Sequence, residues 1–232
     1  MSPMRRLLTA LATATAAAAL IAGCSAKQSG APLPEASTLV KESATTTADL
    51  KSAHLALTVT GQIKNLPVKT LEGDLTTSPN TAAKGSAQIT MLGSDVDAKF
   101  VVIDGDLYAA ITGDDYDNYG AADHIYDVAA ILSPEKGLAN MLTNLSDLKA
   151  TGRDTIGGQK TVRITGNASA DAVNALAPQL KATAPTSATV WIQEEGDHQL
   201  VQAQLDPSAG NSIQMTLSNW NAPVSIERPA GA

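Results

Sequence analysis

Phe100-Val101-Val102-Ile103-Asp104-Gly105-Asp106-Leu107-Tyr108 reads as two short apolar runs folded back across an Asp-Gly pair. The tightest hairpin turn needs positive φ at both central residues, which Asp and Gly adopt at little cost, so Asp104-Gly105 marks a hairpin. The same period of two extends on both sides of it. Upstream, Leu55, Leu57 and Val59 alternate with His54, Ala56, Thr58 and Thr60. Leu71, Gly73 and Leu75 follow, then Ala87, Ile89 and Met91, then Val96, Ala98, Phe100 and Val102, and downstream Leu107, Ala109 and Ile111. Turn signals separate these runs at Asn65-Leu66-Pro67, Ser78-Pro79-Asn80 and Gly93-Ser94-Asp95. Alternating runs joined by short turns describe an antiparallel meander with one apolar face.

The rest of the chain frames this meander. Leu39, Val40, Ala44, Ala48 and Leu50 fall near helical spacing, which predicts an opening helix over Glu35 to Lys51. Asp127 to Leu132 and Ser133 to Leu145 also read as helical, with Ser133 as N-cap and Pro134 at the first helical position. Leu138, Met141, Leu142 and Leu145 form the apolar stripe of that segment. Strands are expected again at Lys149 to Arg153 and Thr161 to Thr165, then a short helix capped by Ser169 and ended by Pro178. Val190 and Ile192, Leu200 to Leu205, and Ile213, Met215 and Leu217 return to alternation. The expected class is α+β: a single domain over residues 35–228, with a long antiparallel sheet and few helices to cover it. The economical arrangement is a strongly curved half-barrel, helices across its concave side, enclosing a large apolar cavity.

The N-terminus gives location. Arg5 and Arg6 precede an uncharged, Ala-rich stretch from Leu7 to Ala22, and Ile21-Ala22-Gly23-Cys24 matches the bacterial lipobox. Residues 1–23 therefore read as a signal peptide, Cys24 as the acylated first residue of the mature chain, and residues 24–34 as anchor and flexible tether. A short membrane-spanning anchor is the competing reading of that stretch. Cys24 is the single cysteine of 232 residues, so no disulfide supports the fold. Loss of Arg5 and Arg6 leaves 14 basic against 23 acidic residues, a net −9, which argues against a nucleic-acid partner or a basic grip on anionic lipid. Attachment then falls to the acyl chains on Cys24, of which two or three hold firmly.

Aromatic residues make up 3% of the chain against 44% hydrophobic, so the apolar surface is aliphatic. GC-rich codon usage accounts for this as well as an interior lined by flexible methyl groups does. The alternating pattern nominates Leu57, Val59, Leu71, Leu75, Ala87 and Ile89 as cavity wall, with Met91, Phe100 and Val102 beyond them. The stripe Leu138, Met141, Leu142 and Leu145 is placed opposite; each of these positions fits packed core equally well. Ala87, beside Gly85 and Ser86, is the best single candidate for space left to a ligand.

Motifs for chemistry are missing from the sequence. His54, His124 and His198 lack metal-ligand spacing, and neither a hydrolase elbow nor a phosphate loop occurs. The acidic loop Asp114-Asp115-Tyr116-Asp117-Asn118 lacks the Gly and closing Glu of a calcium loop. No cofactor, no metal and no catalytic residue is implied. A lipid-modifying enzyme would use a carboxylate, for example Asp104 or Asp106, and no nucleophile–base pair can be named.

Four segments carry a resemblance: Leu50-Lys51-Ser52-Ala53-His54, Gly73-Asp74-Leu75-Thr76-Thr77, the Phe100–Tyr108 stretch, and Ala188-Thr189-Val190-Trp191-Ile192-Gln193-Glu194-Glu195-Gly196-Asp197-His198-Gln199-Leu200. Together they resemble the mycobacterial LppX/LprA/LprF/LprG lipoprotein family, its LprG branch most of all, over nearly the whole mature chain. The resemblance implies a half-barrel related in shape to the Lol carriers, with a large cavity for acyl chains. It also implies triacylated glycolipids (phosphatidylinositol mannosides, lipomannan, lipoarabinomannan) and triacylglycerol as cargo. A major-facilitator efflux transporter of the inner membrane is the implied partner, and the periplasmic face of that membrane, the cell wall or the medium the implied location. The rival reading is an adaptor lipoprotein that supports the transporter, with lipid binding secondary.

Overall fold

The hairpin at Asp104-Gly105 forms as its turn chemistry requires, with φ of 55° and 84° at the two residues. The computed structural model describes residues 31–111 and 113–230. The signal segment, Cys24 and most of the tether lie outside the described residues. From Leu33 onward the chain forms one compact unit.

Six strands make the first meander: β1 (Ser52–Thr60), β2 (Val68–Thr76), β3 (Ala82–Met91), β4 (Ser94–Ile103), β5 (Asp106–Ala110) and β6 (Asp117–Ala121). A second meander comprises β7 (Leu145–Ile156), β8 (Gln159–Ala168), β9 (Thr186–Gln193), β10 (Leu200–Ser208) and β11 (Asn211–Ser218). First and last strands of these groups meet, Leu55 opposite Leu217 and Leu57 opposite Met215, so all 11 strands join one antiparallel sheet. The order is β6-β5-β4-β3-β2-β1-β11-β10-β9-β8-β7. Cross-strand partners share a face. One row therefore runs Ala203, Met215, Leu57, Leu71, Ala87, Ala98, apolar throughout.

Three short helices and several 3₁₀ turns cover that face. α1 (Ala36–Ala48) precedes β1 and rests on β7, β9 and β10. Glu35 is its N-cap, the carboxylate accepting from the Ser37 and Thr38 amides at 3.1 and 2.6 Å. Those hydrogen bonds pull the Glu35 pKa down to about 2. The 3₁₀ turn Val128–Leu132 lies against β2 and β3, α2 (Leu138–Thr143) packs on α1, and α3 (Ala170–Leu176) packs on α2. Ser169 caps α3 as expected, its Oγ accepting from the Ala172 amide at 3.2 Å. Buried side chains of the cover and of the sheet form one aliphatic core.

The opposite face is crossed by the C-terminal segment after β11. The Asn221 amide donates to the Ser52 carbonyl at 2.9 Å, and Arg228 ends over the Tyr108 ring, paired to Asp104 at 3.0 Å. This tail accounts for a fully buried Tyr108 on a face that alternation assigns to solvent.

Three expectations need correction. The sheet is open and not strongly curled, with β6 and β7 as its two edges. Nor is there a large cavity: the space between sheet and cover is filled by the cover's own side chains, since a void forfeits the contacts of its lining. The middle helix is also shorter than Ser133 to Leu145. Ser133 Oγ instead accepts from the Lys136 amide at 3.3 Å in a turn, and α2 starts after Gly137. A Cβ on Gly137 would stand 2.0 Å from the Ile131 carbonyl, so packing against the preceding turn sets where the helix begins. Leu145 falls in β7 and not on the helical stripe.

Candidate functional site

Between the middle of the sheet and the cover, a narrow apolar slot remains, a cavity of ≈ 20 Å³. That is room for about one water and far below a ligand pocket of several hundred Å³. Leu57, Leu71, Leu205, Ile213 and Met215 form its floor, one residue or two from each of β1, β2, β10 and β11. Leu176 and Ala177 at the end of α3, together with Tyr126, form its roof. Leu66 and Val68 close its outer end.

Tyr126 is the roof's one polar group. Its hydroxyl donates to the Leu176 carbonyl at 3.3 Å, tying the loop before the Val128–Leu132 turn to the end of α3. Burial, and secondarily the Asp127 carboxylate beside it, push the phenol well above its ordinary pKa, so it stays neutral over an apolar floor. The nearby Gln179 Nε2 donates to the Ile125 carbonyl at 2.5 Å. Asp127 Oδ1 and Gln179 Oε1 are buried without a hydrogen-bond partner, so this part of the roof is incompletely satisfied.

Of the residues nominated by alternation, Leu57 and Leu71 face the slot. Val59 borders the pocket just outside Leu66 and Val68. Leu75, Phe100, Val102, Leu138 and Met141 are packed core. Leu142 is also packed core but borders, with the half-buried Leu145, an open groove of ≈ 640 Å³ beside Val40, Ala44 and Leu148. Ala87 lies in the slot's own row, directly opposite Leu71, and is half-buried, as are Ile89 and Met91 farther along β3. The inner face therefore continues past the slot along β3 over apolar side chains with incomplete cover. The roof residues Tyr126, Leu176 and Ala177 escaped the pattern, since loop positions carry no period. Leu205, Ile213 and Met215 were legible as an alternating run, but nothing local said which strands of the second meander would lie beside the first.

Among the described residues no group of His, Cys, Asp and Glu is arranged to hold a metal, and no helix is long and apolar enough to cross a membrane. Asp104 sits in the β4–β5 turn on the far face, engaged by Arg228. The acidic loop is tied back by an ion pair between Asp114 and Lys99 of β4.

A profile of the LppX_LprAFG lipoprotein family matches residues 35–226. The chain belongs to this family. It is 56% identical over 228 residues to the "Lipoarabinomannan carrier protein LprG" of Mycobacterium leprae, covering 97% of this chain and 96% of that one. The protein of the same name from Mycobacterium tuberculosis is 55% identical over 226 residues, 97% of this chain and 95% of its own. Among solved structures, LprF from Mycobacterium bovis superposes with a TM-score of 0.78 at 32% identity, covering 87% of this chain and all of that one. The protein is thus a lipoprotein of a non-enzymatic family.

Proposed function

We propose that the chain is a lipid-anchored envelope carrier that takes up the acyl chains of glycolipids between its sheet and its helical cover. The observation that carries this reading is the apolar row from Met215 through Leu57 and Leu71 to Ala87, which passes under a slot and reaches, on β3, the half-buried Ala87 with half-buried Ile89 and Met91 beside it. Relatives named as lipoarabinomannan carriers support it at 55 and 56% identity. Acylated Cys24 holds the protein on the outer leaflet of the inner membrane, facing the periplasm. Phosphatidylinositol mannosides, lipomannan, lipoarabinomannan and triacylglycerol are the cargo, and a major-facilitator efflux transporter is the partner.

The physics sets what such a carrier must do. Each acyl CH₂ costs about 0.8 kcal/mol to expose to water, so a long chain does not cross the periplasm bare. The slot is too narrow for that chain as it stands. Loading parts the roof from the floor, with Tyr126 and the end of α3 moving together, since their hydrogen bond ties them and Asp127 Oδ1 and Gln179 Oε1 beside them have no partner to lose. An apolar cavity and a bilayer are similar solvents, so transfer is close to neutral and its direction comes from the transporter or from a downstream acceptor.

Native mass spectrometry of the lipoprotein from a mycobacterial host tests this. Wild type should carry acylated glycolipid or triacylglycerol, and Ala87→Trp should not, while keeping its secondary structure and unfolding cooperatively. An Ala87→Trp protein that supports envelope glycolipid export as well as wild type would replace the carrier by an adaptor.

A further inference from the structure

The outer end of the slot has features that an acyl-chain site alone does not call for. Leu66 and Val68 are shared between the slot and a second pocket of ≈ 500 Å³, so these two side chains stand where the apolar floor meets it. The outer pocket is lined by Val59 and Ile63, but also by Gln62, Lys64, Lys69 and Thr90. Its rim is the β1–β2 loop. That loop is fixed at one end by the Gln62 amide donating to Asn211 Oδ1 at 2.9 Å, and at the other by the Pro67 carbonyl accepting from the Thr90 amide at 2.8 Å. Between them the Leu66 amide closes a turn on the Ile63 carbonyl at 3.1 Å. The rim is therefore built and held in place.

Lys69 is there because β2 is irregular. Alternation from Leu71 would put Lys69 on the apolar face and Val68 on the other. In the structure Val68 pairs with Ile89 and Thr70 with Gln88, so Lys69 is an extra residue in a β-bulge. A bulge re-aims side chains, and here it brings Val68 and Lys69 to the same pocket. Lys69 is half-buried, and neither it nor Lys64 has an ion-pair partner among the described residues. The chain has 23 acidic side chains with which to neutralise them. The nearby carboxylate, Asp95, accepts from the Thr90 hydroxyl at 2.7 Å. Two unneutralised ammonium groups at the apolar mouth of an acidic protein fit a ligand that is anionic at one end and aliphatic at the other.

We infer that this pocket is the mouth of the lipid site, and that Lys64 and Lys69 bind the phosphodiester of a phospholipid-anchored glycolipid whose acyl chain passes between Leu66 and Val68. The inference rests on the carrier reading and deepens it: the mouth selects phosphate-bearing lipids over neutral triacylglycerol. The sugars beyond the phosphate stay in solvent.

The test uses the mature lipoprotein and phosphatidylcholine vesicles doped with fluorescent phosphatidylinositol or a fluorescent triacylglycerol of equal acyl length. Lys64→Gln/Lys69→Gln should lower affinity for phosphatidylinositol roughly tenfold, as loss of charge-assisted contacts does, and change triacylglycerol uptake by less than about twofold. Salt should weaken phosphatidylinositol binding to wild type more than to the variant. The exposed pair Lys84→Gln/Lys136→Gln, with the same charge change, should behave as wild type. Equal losses for both lipids, or an equal loss in the control pair, would overturn the subsite while leaving the carrier intact. Glycerophosphoinositol that competes as tightly as the intact lipid would make a free phosphate ester the ligand and overturn it too. A wild type that takes up neither lipid fails at the carrier reading itself.

Discussion

β1 and β3 carry the same apolar alternation, two strands apart in one sheet, yet they end in different environments. On β1, Leu55, Leu57 and Val59 are 0, 6 and 9% exposed. On β3, Ala83 is fully buried, but Ala87, Ile89 and Met91 on the same face stay half-buried. The cover explains the contrast. Over β1, Leu57 is roofed by Tyr126 and by Leu176 at the end of α3, whereas the cover over β3 comes from the short Val128–Leu132 turn. Periodicity decides which side of a strand is apolar; it does not decide how far the cover extends. Where the two disagree, an apolar surface is left for something else.

The sharpest way to break the comparison is to truncate matching residues on each strand. Leu55→Ala removes three carbons' worth of packing from a fully buried site, and should cost about 3 kcal/mol or more. Ile89→Ala, on the uncovered half of β3, should cost about 1 kcal/mol, since much of its surface is already wet. Urea unfolding of both variants measures this, and similar costs would mean that β3 is as well covered as β1.

A second test targets the seam between the covered and uncovered halves. Gly73 and Gly85 face each other across β2 and β3, in the row between Leu55 and Phe100. A Cβ on Gly85 would lie 2.0 Å from the Glu72 carbonyl, and one on Gly73 would lie 2.5 Å from the Lys84 carbonyl. Backbone, not a flexible side-chain tip, is what each would meet, so the strands must part. Gly85→Ala should destabilise by roughly 2 kcal/mol despite adding apolar surface, by straining a pairing the fold depends on. Thermal unfolding that shows no loss would mean that the two strands separate at little cost.

These residues also mark what the sequence made legible. Leu55, Leu57, Leu71 and Phe100 announced their face because a period of two is a local property, and Asp104-Gly105 announced its turn because positive φ is local too. The bulge at Lys69 was invisible, for it exists only against Ile89 and Gln88 of the neighbouring strand. Ser133 and Pro134 gave a sound helix-start signal that lost to a tertiary contact, Gly137 against Ile131. Tyr126 roofs the slot from a loop tied to Leu176 at the end of α3, 50 residues away in sequence. Leu75, Phe100, Val102, Leu138 and Met141 are packed in the core for a similar reason: burial depends on the cover, and the cover is placed by long-range packing.

The smallest expected effect concerns the outward sides of the same strands. His54 on β1 lies between two β2 carboxylates, Nδ1 2.7 Å from Asp74 Oδ1 and Nε2 3.3 Å from Glu72 Oε1. β3 has no such tie: Lys84 pairs in register with Asp74, but Asp74 is engaged by the histidine. Burial opposes the charge on His54, and the hydrogen bonds and charges of Asp74 and Glu72 outweigh it, so its pKa rises above the ordinary 6.5. A raised folded pKa means that the folded state binds the proton more tightly than the unfolded chain. The stabilisation is then complete below 6.5 and fades as pH climbs through the higher folded value. With both carboxylates more than half exposed, it should amount to less than about 1 kcal/mol. Denaturation of wild type and His54→Asn should therefore differ most well below pH 6.5 and converge at alkaline pH. A gap that widens with pH instead would mean that His54 is held neutral, and that β1 and β2 are joined here by hydrogen bonds without charge.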